Sequence, residues 1–217
     1  MIDFQSRRTM MVDTQVRPSD VTKFPIIDAM LRVPREIYVP RAMRDVAYVG
    51  ENVELGGGRV ILDPRVLAKM LNALDVQPDE MVLDIGCGLG YSTAVLARLA
   101  EAVVAVEADA EMAADAETLL SGQAVDNAAV IGGALAAGCA KHGPFDAITI
   151  QGGIEILPQA IADQVNEGGR IAAIFMQGAL GECRIGQKFN DRIVWRMAFN
   201  ATAPVLAGFE KSSKFVL

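Results

Sequence analysis

Val82-Leu83-Asp84-Ile85-Gly86-Cys87-Gly88-Leu89-Gly90-Tyr91 is the stretch on which the reading of this chain turns. An apolar run interrupted by one acid makes a buried strand, and the glycines at 86, 88 and 90 break it before a helix begins near Tyr91. Glycines there let the backbone approach a ligand closely, and the start of a helix offers unpaired amides. A nucleoside triphosphate is excluded, because no Lys-Ser or Lys-Thr follows the glycines to hold phosphates and magnesium. A dinucleotide is disfavoured, because Tyr91 stands where the GxGxxG pattern needs its third glycine. Cys87 reads as a small filler between glycines rather than as a nucleophile.

Outward from this stretch the pattern alternates. The spacing predicts a strand over 81–85, a helix to about 100, a strand over 102–107 and a helix over 110–120. Apolar runs at 128–131, 145–150 and 170–175 supply further strands, with a helix started by Pro158 and ending at Gly168-Gly169. Residues 182–189 and 192–199 about Asn190-Asp191 read as a hairpin that closes the sheet with an antiparallel edge. Ahead of the first strand, a helix capped by Thr22 is predicted to run to Arg32, stopped by Pro34. Residues 35–59 show no sustained period, and Gly56-Gly57-Gly58 marks a loop. Asp63-Pro64 is a strong helix start, with Leu67, Met70, Leu71 and Leu74 at helical spacing. The expected fold is α/β, a mostly parallel sheet under a helical cover. One domain, 1–217, is expected, divided into a cover (1–75), a core (76–200) and a tail (201–217).

The second acid of the core, Glu107, ends the next strand 23 residues after Asp84. Two strand-end acids beside glycines suit S-adenosylmethionine: Asp84 can attract its α-amino group directly or through water, and Glu107 can accept both hydroxyls of a neutral ribose. The bland alternative, a structural glycine-rich turn, leaves both acids in register without a reason.

Composition narrows the function classes. Hydrophobic residues make up 52% of 217, enough for a sizeable core, and a net charge of −7 repels nucleic acid and anionic lipid. The three cysteines form no CxxC pair, and His142 is the only histidine, so a His-rich metal site is excluded and reduced cytoplasm is the expected setting. The N-terminus lacks the apolar core of a signal peptide, and no run is long enough to span a bilayer.

At the glycine loop the chain resembles the class I methyltransferases. Over nearly all its length it is similar to the protein-L-isoaspartate O-methyltransferase family, on Val33-Pro34-Arg35-Glu36, Tyr38-Val39-Pro40, Tyr48, Gly90-Tyr91-Ser92-Thr93-Ala94, Gly143-Pro144-Phe145-Asp146, Leu157-Pro158-Gln159-Ala160 and Glu167-Gly168-Gly169-Arg170. The resemblance implies methyl transfer from S-adenosylmethionine to the α-carboxylate of an isoaspartyl residue in a protein or peptide. That nucleophile is already ionised and needs desolvation and alignment more than a base. The cofactor-binding residues implied are Asp84, Gly86, Cys87, Gly88, Gly90, Tyr91, Thr93, Glu107, Ala108, Gly133, Ala134 and Gln151, and no metal is expected.

The chain departs from the family where the substrate carboxylate is held. The family's glutamine-threonine-isoleucine-serine run matches Arg59-Val60-Ile61-Leu62, so both hydroxyls are missing and Asp63 adds like charge. Arg59, Ile61 and Leu62 are the acceptor-side candidates, with Arg59 and Arg65 as replacement anion partners. Turnover is expected to be low, and Leu62→Ser to raise it. Gly133 replaces an aspartate that contacts the adenine, and Gly50 replaces an acid. A methyltransferase acting on another nucleophile and a non-catalytic cofactor-binding module remain alternatives, and the oligomeric state is not legible.

Overall fold

The computed structural model describes residues 3–211; the last six residues of the expected 201–217 tail lie outside the described residues. Apolar alternation and glycine breaks build a seven-stranded sheet whose order is β5-β4-β3-β6-β7-β8-β9. Its strands are β3 (Met81–Ile85), β4 (Ala102–Glu107), β5 (Ala128–Gly132), β6 (Phe145–Ile154), β7 (Val165–Gln177), β8 (Leu180–Phe189) and β9 (Arg192–Asn200). The first five pair in parallel and the last two join antiparallel, as expected. Asn190 and Asp191 both take positive φ, 48° and 60°, the geometry of the two-residue turn that suits a twisted hairpin. The chain leaves β3 towards β4 on one side and returns to β6 on the other, so the carboxyl end of β3 lies at a topological switch point, where open α/β sheets bind ligands.

Helices flank this sheet. α1 (Phe4–Met11) runs on through a π turn, Val12–Val16; α2 (Phe24–Arg32) and α3 (Pro64–Leu74) complete the cover, and α4 (Tyr91–Leu96), α5 (Ala110–Gly122) and α6 (Gln159–Ala162) belong to the core. Asp63 caps α3 by accepting from the Arg65 amide at 2.7 Å, with Pro64 in the first turn. Val66, Leu67, Met70, Leu71 and Leu74 bury its inner face in a cluster shared with Ile26, Met30 and Leu62.

Four local expectations are corrected. The helix before Pro34 begins at Phe24 with Lys23 at its cap, not Thr22. α4 stops at Leu96, and the next residues tighten into a turn in which the Leu99 amide bonds the Leu96 carbonyl at 2.8 Å. α6 is a single turn, because Val165 already pairs with Phe145 as the start of β7, so Gly168 and Gly169 lie within a strand. The end of the stretch 35–59 enters a hairpin that runs on to Ile61, β1 (Val53–Gly56) with β2 (Arg59–Ile61), turned by Gly56, Gly57 and Gly58 at φ 100°, 58° and 75°.

Candidate functional site

The loop after β3 docks on the end of β4: the amides of Gly86 and Cys87 both donate to the Val106 carbonyl, at 2.7 and 3.3 Å. Positive φ at Gly86 (78°), Gly88 (56°) and Gly90 (95°) explains why each must be glycine. Gly86 and Gly88 face the side chains of Arg59 and Leu55. A side chain at Gly90 would press on Leu120 and Ala116 of α5, so this glycine serves helix packing.

Glu107 is fully buried, and donors surround it. Gly88 N lies 2.8 Å from Oε2, Ala108 N 2.8 Å and Asp109 N 3.3 Å from Oε1. The strand-end acid is thereby fastened to the glycine loop beside it, although in the β3–β4 register Asp84 stands opposite Ala105 rather than Glu107. A side chain arriving from β2 supplies the remaining partner. Arg59 is 7% exposed; its Nη2 lies 3.0 Å and its Nε 3.3 Å from the Glu107 oxygens, and Nη2 also donates to the Gly86 carbonyl. Arg59 was expected to serve a substrate anion; it is committed to Glu107 instead.

Asp84 takes an inward role. Its Oδ2 accepts from Ser92 Oγ (2.6 Å) and Thr93 Oγ1 (2.7 Å), its Oδ1 from Thr149 Oγ1 and Gln151 Nε2 (2.8 Å each). Four donors fill the four lone-pair sites of a carboxylate, so of the two expected routes to an ammonium group, direct or through water, the direct one is not available. Burial pushes the Asp84 carboxyl above its ordinary value, and the hydrogen bonds from Ser92, Thr93, Gln151 and Thr149 pull it back. Thr93 and Gln151, read as cofactor residues, are spent on this network. Tyr91 is buried too, its ring 4.8 Å from the Arg35 guanidinium, and it belongs to the core beneath the loop. Cys87 is a filler: burial, then the charges of Asp84 and Glu107, push its thiol well above the ordinary range. On the far side Gly133 and Ala134 are exposed, with the Gly133 amide 2.9 Å from the Glu107 carbonyl and open space where a side chain would stand.

The acceptor-side expectation is corrected by packing. Leu62 is 1% exposed and Ile61 6%, both within the main core cluster, so neither side chain is presented to a ligand. Leu62→Ser is accordingly expected to cost about 2 to 4 kcal/mol by leaving a cavity and a buried hydroxyl, rather than to create a substrate contact. A melting temperature lowered by roughly 5 to 15 °C checks this, and unchanged stability with faster turnover would contradict it. Arg65 keeps its side chain 45% exposed, on a cleft of about 720 Å³ shared with Asn52, Asp63 and Thr202. Nothing in the structure requires glycine at 50.

Two functional elements escaped the sequence reading. One is the β1–β2 hairpin, which lays Leu55 and Arg59 over the glycine loop. The other is Arg35, fully buried, which donates from Nε to the Ala47 carbonyl (2.6 Å) and from Nη2 to the Leu62 carbonyl (2.9 Å), tying the segment before α3 to the core. Its position in Pro34-Arg35-Glu36 carried no signal of burial.

Comparison with known proteins follows the same lines. The family model described as protein-L-isoaspartate(D-aspartate) O-methyltransferase matches residues 6–193. The chain is 38% identical over 168 residues to a protein-L-isoaspartate O-methyltransferase of Syntrophus aciditrophicus, covering 77% of each. It is 33% identical over 186 residues, 83% of each, to protein-L-isoaspartate O-methyltransferase 2 of Pelobacter propionicus. A crystal structure of a Plasmodium falciparum protein of that description, in complex with S-adenosyl-L-homocysteine, superposes with a TM-score of 0.79 over 95% of this chain and 99% of that one, at 18% identity, a likeness of fold.

Proposed function

The chain belongs to the protein-L-isoaspartate(D-aspartate) O-methyltransferase family, and from that membership we propose that it methylates the α-carboxylate of isoaspartyl residues in proteins or peptides, with S-adenosylmethionine as methyl donor. The observation that carries this reading is the buried Glu107 carboxylate at the end of β4, bonded to the Gly88 amide of the loop after β3.

The residues present fit that cofactor in kind. Glu107 would hold the ribose diol, the backbones of Gly86 and Gly88 the amino-acid portion, and Gly133 with Ala134 the edge of the base. Asp84 would act at one remove, by fixing Ser92, Thr93, Thr149 and Gln151 beneath the loop. When bound, S-adenosylmethionine supplies a sulfonium methyl group ready for displacement. The protein's part is to desolvate an ionised carboxylate and align it, which asks for no base. Val60, Ile61 and Leu62 are turned into the core and offer the substrate no hydroxyl, and Arg65, the one cation among the described residues on a cleft it shares with Glu51, Asp63 and Glu182, would be the remaining candidate to attract it. Low turnover is the expected consequence. A net charge of −7 favours a protein or peptide acceptor over nucleic acid. No helix among the described residues is long and apolar enough to cross a membrane.

A radiolabelled methyl-transfer assay on an isoaspartyl peptide and its aspartyl twin tests the reading. Slow incorporation confined to the isoaspartyl peptide is expected. Equal labelling of both, or none while the cofactor is bound, would assign a different acceptor or a binding role.

A further inference from the structure

We propose that the tip of the β1–β2 hairpin is a built-in competitor of the cofactor: Arg59 neutralises Glu107 in the closed form of the protein, and S-adenosylmethionine binds only as Arg59 and Leu55 withdraw. The proposal rests on Glu107 being the ribose-binding acid.

Space and charge both support it. A Cβ built on Gly86 would fall 2.4 Å from Arg59 Nη2, and one built on Gly88 2.5 Å from Leu55 Cδ1. The hollow that the two glycines leave open is therefore filled by these side chains. The carboxylate is filled as well: with three backbone amides and the Arg59 guanidinium around it, Glu107 has no acceptor site left for a diol. A neutral diol cannot enter without displacing the one partner that is not backbone.

The hairpin is constructed to allow this. It forms a two-stranded sheet separate from the seven-stranded one, so no ladder to the main sheet has to break when its tip moves. Its base is pinned, with Asn52 Oδ1 accepting from the Asp63 amide (2.8 Å), Asn52 Nδ2 donating to the Thr202 carbonyl (3.1 Å), and Val53, Val60 and Ile61 buried. At the tip, a Cβ built on Gly56, Gly57 or Gly58 meets nothing within 4 Å, so the turn is open on that side. The closed contact is also imperfect. Arg59 Nη1 is buried with no hydrogen-bond partner, a cost that release to water removes. A closed form strongly preferred over the open one weakens apparent affinity by the open fraction, and removing Arg59 lifts that penalty.

Calorimetry with S-adenosylhomocysteine on wild type, Arg59→Gln, Arg59→Ala and Leu55→Ala tests the proposal, with thermal unfolding to confirm that each variant folds. Both Arg59 variants are expected to bind about 10- to 100-fold more tightly than wild type, and Leu55→Ala a few-fold more tightly. Glutamine at 59 keeps a neutral donor near Glu107, and the carboxylate retains its three amide partners, which protects the fold. Wild-type affinity, or weaker binding, in both folded Arg59 variants would overturn the competition while leaving the cofactor assignment intact. Absence of binding by wild type and every folded variant would overturn the cofactor assignment and the competition together.

Discussion

Glu107→Ala is expected to lose about 3 to 5 kcal/mol of stability and at least 30-fold of affinity for S-adenosylhomocysteine, the largest combined effect of any single substitution in the site. The stability loss comes from Arg59, whose guanidinium is left charged and buried once its carboxylate is gone; breaking one half of a buried pair costs far more than the pair contributes. The affinity loss comes from removing the acceptor of two hydroxyl bonds, roughly 30- to 1000-fold. The two effects separate in the double variant Glu107→Ala with Arg59→Ala. Stability should return in part, because no orphaned charge remains while the amides of Gly88, Ala108 and Asp109 still lack their acceptor, and affinity should not return. Denaturant unfolding and calorimetry on the four proteins of this cycle make the measurement. Full stability in Glu107→Ala would mean that the pair is not formed in solution, and retained affinity would move the cofactor elsewhere. Arg59 substitutions are expected to move affinity the other way, so two halves of one ion pair have opposite signatures.

Asp84→Ala should be nearly as damaging to the fold, by about 3 to 5 kcal/mol, since it strands the buried donors of Ser92, Thr93, Thr149 and Gln151 at the junction of β3, β6 and α4. Asp84→Asn discriminates between charge and satisfaction. The amide oxygen can still accept from Thr149 and Gln151, and the amide nitrogen can donate to the Ser92 and Thr93 hydroxyls, which rotate to accept. A cost of about 1 to 2 kcal/mol is therefore expected for asparagine, read as a smaller fall in melting temperature. Equal damage from both variants would show that the negative charge itself holds the network. A carboxylate facing a ligand, as first expected, would instead lower affinity in both variants with little change in stability.

Much of this molecule could be read from local sequence. The Asp63-Pro64 helix start, the β3–glycine loop–α4 passage, the placing of Glu107 at the end of the strand beside β3 and the Asn190-Asp191 edge hairpin all rest on caps, turn residues and periodicities that act within a few residues. They appear where expected. The family motifs extended that reading to activity, because their order along the chain is itself a one-dimensional signal. What the sequence could not decide was where each side chain points and whom it meets. Arg59 meets a carboxylate 48 residues away, Asp84 collects donors from 65 and 67 residues away, and Leu62 is enclosed by a cluster drawn from the whole cover. A guanidinium, a carboxylate or a leucine looks the same in sequence whether it faces a ligand or the core. The choice is made by burial and by the pairing that burial demands of every charged and polar group, and both exist only once distant segments have packed.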